Sequence, residues 1–170
     1  MSKSAKHSKE EQKNLEKKLG EVLGLERAAQ KAVEELNSMK LLESSSKKEI
    51  LGMKDEANSH EEKIMKLISD ILDEKEDLKI SQENIEETAK ETEKKAVKMM
   101  KTYLGEDPDS SEAIEFLAIA EGGEVIHYEV LNAISKNFKV KELSNTVSSI
   151  LKEEQKHLQL CIDLAKESVS

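Results

Sequence analysis

The chain has 170 residues, of which 37% are charged and 2% aromatic, with one proline, one cysteine and a formal net charge of −9. This composition, rich in Glu, Lys, Leu and Ala, predicts an all-α protein of one domain, and the negative charge argues against nucleic acid and anionic membranes as partners. The lone cysteine excludes an intramolecular disulfide, and since no run suits a secretion signal or a membrane span, we expect a cytoplasmic protein.

Apolar residues recur at helical spacing along most of the chain and predict five helices. We expect residues 1–7 to form a disordered tail and residues 8–170 to form a single helical domain. Serine followed three residues later by glutamate predicts a capping box at Ser8 with Glu11 and at Ser46 with Glu49. The predicted helices cover about residues 8–39, 46–73, 82–104, 111–135 and 140–167.

Two stretches interrupt the helical pattern, a charged linker at residues 73–77 and a loop at 105–110 that holds the only proline. A different signal lies inside the fourth predicted helix, where Gly122 is followed by Gly123. Glycine costs about 1 kcal/mol relative to alanine in a helix interior. The pair therefore predicts a close approach by another backbone or by a ligand site.

Two predicted helices each carry a glutamate followed three residues later by a histidine, Glu124 with His127 and Glu154 with His157. This spacing places both side chains on one helix face. Each glutamate falls where the apolar pattern points inward. Burial of a lone carboxylate is unfavourable unless a cation meets it, so the motifs predict a metal ion.

The first two predicted helices repeat this arrangement of inward polar residues. Glu26 and His60 interrupt their apolar stripes 34 positions apart, and Glu124 and His157 do so 33 positions apart. Two helical hairpins of nearly equal length would thus present polar side chains at corresponding depths.

Four bundled helices that contribute a Glu from each of two helices and Glu-x-x-His from each of the others form a di-iron or di-manganese carboxylate centre. Carboxylate and imidazole donors suit iron or manganese, and open coordination positions admit dioxygen or peroxide. The predicted ligands in this chain are Glu26, His60, Glu124, His127, Glu154 and His157.

The second helix departs from this pattern, because Ala57 stands where the bridging glutamate is expected. His127 or Glu121 could replace that ligand, and a site for one ion or for none remains open. Otherwise Glu121 is expected at a half-exposed boundary. We also expect Glu153 to face water, Cys161 to be a packing residue, and Tyr128 either to bond a metal-bound carboxylate or simply to pack.

The motifs resemble the ferritin-like superfamily, nearest to its rubrerythrin-like and small bacterial stress-associated members. The stretches that carry the resemblance are GLERAA at 24–29, SHEEKI at 59–64, EVIHYE at 124–129 and LKEEQKHL at 151–158.

The resemblance implies a left-handed, ferritin-like four-helix bundle with a long crossover, here residues 74–110, containing an additional helix. It also implies iron binding, with oxidation of ferrous iron or reduction of peroxide in stress defence, and a homodimer with the crossover helix near the contact. The chain lacks rubredoxin-type cysteine pairs, so a built-in iron–sulfur electron donor is excluded.

Two other functions remain open at this point. A metal-free helical scaffold or interaction protein that has lost the centre would explain Ala57. A coiled-coil adaptor fits less well, because the heptads are interrupted and Gly122 and Gly123 would destabilise it.

Overall fold

The computed structural model describes residues 7–74 and 77–170. Over these two ranges all regular secondary structure is α-helical, which confirms the all-α prediction. Residues 1–6 of the predicted tail and 75–76 of the predicted linker and crossover lie outside the described residues. The helices are α1 (Lys9–Ser38), α2 (Ser44–Glu74), α3 (Gln82–Leu104), α4 (Ser110–Ser135) and α5 (Lys141–Glu167).

The capping box at the start of α1 is confirmed. The amide of Glu11 donates to Ser8 Oγ at 3.1 Å, and the amide of Ser8 donates to Glu11 Oε2 at 2.8 Å. The box predicted at Ser46 is wrong. Helix α2 already begins at Ser44, and the Ser46 hydroxyl donates to the Glu43 carbonyl at 3.3 Å, so Ser46 lies within the first turn.

His7, which the sequence places in the tail, packs against the bundle. Its ring lies 4.3 Å from the ring of Phe138, and its carbonyl accepts a hydrogen bond from Gln12 Nε2 at 3.1 Å. The prediction that His7 belongs to a disordered tail is therefore wrong.

Helices α1, α2, α5 and α4 form a ring in that order, and α3 lies outside it against α1 and α4. Their buried apolar residues form two clusters. One includes Leu15, Ile71, Leu131 and Leu143, and the other includes Leu36, Ile50, Ile114 and Cys161. The order of these residues along each helix shows that α1 and α5 run in one direction and α2 and α4 in the other.

Because α2 and α4 are parallel, the chain between them must return along the length of the bundle, and α3 makes that return. Ile85 near its start belongs to the first apolar cluster, and Met100 near its end belongs to the second. Helix α3 therefore runs parallel to α1. None of the helices in the described ranges has the length and apolarity needed to cross a bilayer.

A close approach between α1 and α3 depends on two glycines. A Cβ atom at Gly20 would lie 2.7 Å from the Ile85 carbonyl oxygen, and one at Gly24 would overlap the Ala89 carbonyl oxygen. At Gly123, by contrast, an added Cβ would meet none of the described atoms within 4 Å. The backbone approach predicted for the fourth helix thus occurs on the first helix.

Arg27 joins α1 to α2 and to α3 at this level. Its Nη1 donates to Glu86 of α3 at 2.6 Å, and its Nε donates to Glu61 of α2 at 3.0 Å. This partly buried ion-pair network lies beside Glu26, the preceding residue, whose side chain is buried in the bundle interior.

Candidate metal centre

A layer of buried polar side chains separates the two apolar clusters. In each of the four ring helices these side chains lie between residues of one cluster and residues of the other, so the layer crosses the middle of the bundle. The layer contains Glu26 from α1, His60 from α2, Glu121 and Glu124 from α4, and Glu154 and His157 from α5.

The first group in the layer joins three helices. His60 Nδ1 lies 3.1 Å from Glu26 Oε1 and 2.7 Å from Glu154 Oε1. Tyr128 donates its hydroxyl hydrogen to Glu26 Oε1 at 2.7 Å, so this tyrosine bonds a carboxylate of the layer. One potential ligand atom from each of Glu26, His60 and Glu154 lies within 4.8 Å of the others, close enough for a shared metal ion.

The second group shares Glu154 with the first. His157 Nδ1 lies 3.4 Å from Glu154 Oε2 and 3.8 Å from Glu121 Oε2, and the ligand atoms of these three residues also lie within 4.8 Å of one another. The His60 and His157 rings are stacked with their centroids 6.0 Å apart. Glu154 therefore turns one oxygen towards each group.

The outer nitrogen of each histidine contacts a further carboxylate. His60 Nε2 contacts Glu153 Oε2, and His157 Nε2 contacts Glu56 Oε2. In metal sites a carboxylate commonly holds the nitrogen of a histidine that does not bind the ion, and so fixes the ring and its tautomer. Both Nδ1 atoms therefore face the shared Glu154 with their rings already oriented.

These outer carboxylates were not expected. Glu153 was predicted to face water, yet its 37% exposed side chain reaches His60. Glu56 of α2 is not among the ligands that the sequence predicts. Its side chain is 55% exposed but crosses to His157 on α5. A long side chain at the rim of a helix face can thus keep partial exposure and still contact a buried ring.

Four buried carboxylate oxygens in the layer have no hydrogen-bond partner among the described residues. They are Glu26 Oε2, Glu121 Oε2, Glu124 Oε1 and Glu154 Oε2. An unsatisfied buried acceptor is unfavourable, and the cost is greater when the group carries charge. A cation held in each of the two groups would satisfy the unpartnered oxygens of Glu26, Glu121 and Glu154, so the donor set fits a metal ion.

In the chain without bound ions, burial and the repulsion between neighbouring carboxylates change the pKa values of the glutamates in the polar layer. Burial, followed by the charge of Glu154, raises the pKa of Glu26 to about 8. The same two causes raise the pKa values of Glu121 and Glu124 well above the ordinary value. These carboxyl groups therefore retain protons at a pH where an exposed glutamate has lost its own.

Glu154 and the histidines shift in the opposite sense, towards their charged forms. Burial alone would raise the pKa of Glu154, but the close contacts with the His157 and His60 rings outweigh burial and lower the pKa. Burial likewise opposes charge on His60, yet contacts with Glu154 and Glu26 raise its pKa to about 11. Burial also lowers the pKa of His157, and its contacts with Glu154 and Glu56 raise it overall. Protonated imidazoles thus compensate the carboxylates when no other cation is present.

His127 lies outside both groups. Its side chain is 33% exposed, and its Nε2 lies 3.5 Å from Glu21 Oε2 on α1. Successive helical residues are separated by about 100°, so Tyr128, seven residues after Glu121, takes the inward place and His127 is rotated away from it. In the Glu-x-x-His motif of α4, Glu124 is therefore buried in the polar layer, whereas His127 lies outside it and is partly exposed.

The position of Glu121 differs from the boundary expected for it. This residue is only 5% exposed and joins the second group, whereas Ala57 is buried and contributes no ligand. Glu124, 3% exposed, lies one helical turn from Glu121 but belongs to neither three-residue group. Cys161 packs in the apolar cluster beside the layer, with its Sγ 3.9 Å from Met53 Sδ, and burial raises the pKa of its thiol.

The layer thus has two groups of residues able to hold a metal ion, within an all-helical bundle. Comparisons with protein-family models, with curated proteins and with solved structures found no match to this chain.

Proposed function

We propose that this chain is a ferritin-like protein that binds two iron or manganese ions in its polar layer. Glu26, His60 and Glu154 would hold one ion, and Glu121, Glu154 and His157 would hold the other. The observation that carries this proposal is the position of Glu154 between two histidines whose outer nitrogens are already held by carboxylates. Such an arrangement has ligands and supporting contacts in place before the ion arrives.

The types of donor atom support the choice of metals. All the donors in the two groups are carboxylate oxygens and imidazole nitrogens, whereas Cys161 lies outside them. Oxygen and nitrogen donors without thiolate suit iron and manganese, and two ions that share a carboxylate match the carboxylate centres of helical bundles.

The activity we propose is that of an oxidoreductase that oxidises ferrous iron or reduces peroxide. When bound, ions of this kind supply the capacity to exchange electrons with dioxygen or peroxide. The chain would contribute the ligands, and the two apolar clusters above and below would limit the access of water. Tyr128 orients Glu26 through its hydroxyl group and so holds one ligand in place.

The architecture adds support for the ferritin-like assignment and for a homodimer. The return of the chain through α3 corresponds to the long crossover of that fold. The outer face of α4 exposes Ile119, Ile126 and Val130, which are 54%, 63% and 41% exposed. A helix that is apolar on its outer face as well as its inner face is usually covered. We propose a second copy of the chain as its cover.

Metal analysis tests the proposal directly. We expect protein purified without chelators to contain about two iron or manganese ions per chain. Glu154→Ala should bring the metal content close to background, because it removes a ligand from both groups. Glu62→Ala is the matched control, since Glu62 is an exposed glutamate on α2, two residues after His60. A wild-type chain with no transition metal above background would overturn the proposal.

The redox activity needs a separate measurement. With dioxygen as the oxidant, added ferrous iron should be oxidised faster by the wild-type chain than by an equal concentration of Glu154→Ala. Hydrogen peroxide should likewise be reduced faster by the wild-type chain than by Glu154→Ala when bound ferrous iron supplies the electrons. If the two proteins gave equal rates while the wild type contained its expected two ions, the oxidoreductase activity would be rejected. The proposal that the chain binds metal ions would stand.

A further inference from the structure

A cavity of about 350 Å³ lies between α1, α3 and α4, on the side of the bundle where His127 is found. Its walls are mostly apolar, and several of the lining residues are alanines. Ala29, Ala96 and Ala120 contribute one alanine from each of the three helices, and Gly123 lies beside them. Because these side chains are short, the three helices pack together and still leave space between them.

Gly123 gains an explanation from this cavity. An added Cβ at this position would point into open space, and Gly123 is part of the cavity wall. The glycine pair in α4 therefore lies beside a candidate ligand site, which is the second of the two alternatives that the sequence leaves open.

Two polar side chains of α4 give this apolar wall a chemical preference. Glu124 is 3% exposed, and its Oε1 has no hydrogen-bond partner among the described residues. His127 Nδ1 is likewise buried without a partner in that part of the chain, whereas its Nε2 faces Glu21 Oε2 at 3.5 Å. A neutral imidazole that directs its N–H towards Glu21 presents Nδ1 as an acceptor. His127 Nδ1 therefore requires a donor, and Glu124 Oε1 is a second polar atom without a partner among the described residues in the same wall.

The size of the cavity and the charges that line it restrict the kind of molecule that can bind there. A volume of about 350 Å³ is at the lower end of the range for small-molecule sites, and it is too small for a helix of a partner protein. The charged residues that line it include Lys95 and Glu21, which have opposite signs. These features favour a neutral molecule with an apolar body and a hydroxyl group.

We propose that this cavity binds an alkyl-substituted phenol or a similar amphipathic alcohol, with its hydroxyl group donating to His127 Nδ1. The site deepens the proposed function and rests on it in one respect. Glu124 lies one turn from Glu121 of the second group, so a molecule held here would lie beside the metal layer as a substrate.

The test compares 4-hexylphenol with 4-hexylanisole, its methyl ether, which has the same apolar body but no O–H group. Binding is measured by isothermal titration calorimetry on the full chain, first in EDTA and then after loading with Mn²⁺. We expect the phenol to bind at least about tenfold more tightly than the ether, since a hydrogen bond to a buried acceptor is lost with the ether. Equal affinity for the two would overturn the proposed head group.

A cavity-filling variant shows where the phenol binds. Ala120→Leu should weaken phenol binding by about tenfold or more, whereas Ala133→Leu, an exposed alanine on the same helix, should leave it unchanged. In case Ala120→Leu fails to fold, ¹⁵N spectra of the wild type provide a second measurement, in which the phenol should shift the Gly123 and His127 amides. Unchanged amides, or undiminished affinity in a folded Ala120→Leu variant, would place the phenol elsewhere.

The outcomes also separate this inference from the proposed function. Phenol binding in EDTA, combined with no transition metal above background in wild-type protein purified without chelators, would reject the metal centre and keep the cavity site. Normal metal content without phenol binding would do the reverse. A wild-type dimer that Ala120→Leu converts to monomer, with no phenol bound by either, would show that a second copy fills the cavity.

Discussion

Glu154 Oε1 lies 2.7 Å from His60 Nδ1, so a side chain from α5 and one from α2 meet in the middle of the bundle. The other oxygen of the same carboxylate lies 3.4 Å from His157 Nδ1. Glu154 therefore lies between the two groups. The sequence pattern expects a glutamate of α2 in this bridging place, but the residue at that position of α2 is Ala57.

The sharing of Glu154 predicts unequal effects of removing single carboxylates. Glu26→Ala and Glu121→Ala each disrupt one group, so we expect each to lower the metal content from about two ions per chain to about one. Titration with Mn²⁺ in the absence of air, followed by elemental analysis, measures this stoichiometry. Glu62→Ala should retain both ions, and loss of both from Glu121→Ala would show that the two groups do not bind ions separately.

A second prediction concerns the pH dependence of stability in EDTA. The pKa of Glu26 is raised from 4.5 to about 8, so the folded chain keeps a proton that the unfolded chain loses, and stability falls as pH rises through that interval. The pKa of His60 is raised from 6.5 to about 11. Its contribution to stability is therefore complete below pH 6.5 and is lost progressively as the pH rises from 6.5 to about 11. Glu154, with a lowered pKa, contributes above pH 4.5 and loses that contribution in acid.

The EDTA-treated protein should therefore be most stable in mild acid. We expect its midpoint of thermal unfolding, followed by circular dichroism, to be roughly 5 °C lower at pH 8 than at pH 6. Mn²⁺ should raise the midpoint more at pH 8, because ligands must lose protons to bind the ion. The Glu26→Gln variant should have a shallower pH dependence in EDTA than the wild type or Glu62→Gln. A midpoint that rises from pH 6 to pH 8 in EDTA would contradict this account.

The helices and the level of the polar layer could be read from the sequence, because both follow from periodicity along one chain segment at a time. Glu26, His60 and Glu154 interrupt apolar stripes, and that interruption is a local signal of inward polar residues. The third predicted helix is confirmed from Gln82 to Leu104 for the same reason.

Contacts across helices could not be read in this way. Glu56 and Glu153 lie at the rim of their helix faces, and only the packing of α2 against α5 shows that they reach the histidines. His127 has the right spacing from Glu124, but the rotation of α4 turns Tyr128 inward instead. The close approach of another helix to α1 could have been predicted from the sequence. Gly20 and Gly24 are one turn apart, and small residues at that spacing permit close helix packing.

A third prediction separates the metal-binding protein from a metal-free scaffold. Glu124 is buried with an unpartnered oxygen, so Glu124→Leu should raise the unfolding midpoint in EDTA by a few degrees, equivalent to about 1–2 kcal/mol. The same variant should gain less from Mn²⁺ than the wild type does, because a carboxylate beside the ions is lost. Thermal melts of both proteins with and without Mn²⁺ measure this. If Mn²⁺ stabilises neither protein, the scaffold explains the layer better.

The last prediction concerns the contact that places α3 against the bundle. A methyl group at Gly24 would overlap the Ala89 carbonyl oxygen, and since this is a backbone atom, α3 must move as a whole to make room. We expect Gly24→Ala to lower the free energy of unfolding by about 1–3 kcal/mol in urea titrations.

Gly52→Ala is the matched control, because Gly52 also lies inside a helix but has no described atom within 4 Å of an added Cβ. This substitution should stabilise the chain by about 0.5–1 kcal/mol through the loss of backbone freedom in the unfolded state. If both variants were stabilised, α3 would not be pressed against α1 at Gly24. The return of the chain along α1 would then need another anchor, with Arg27 and its two glutamates as the remaining contact at that level.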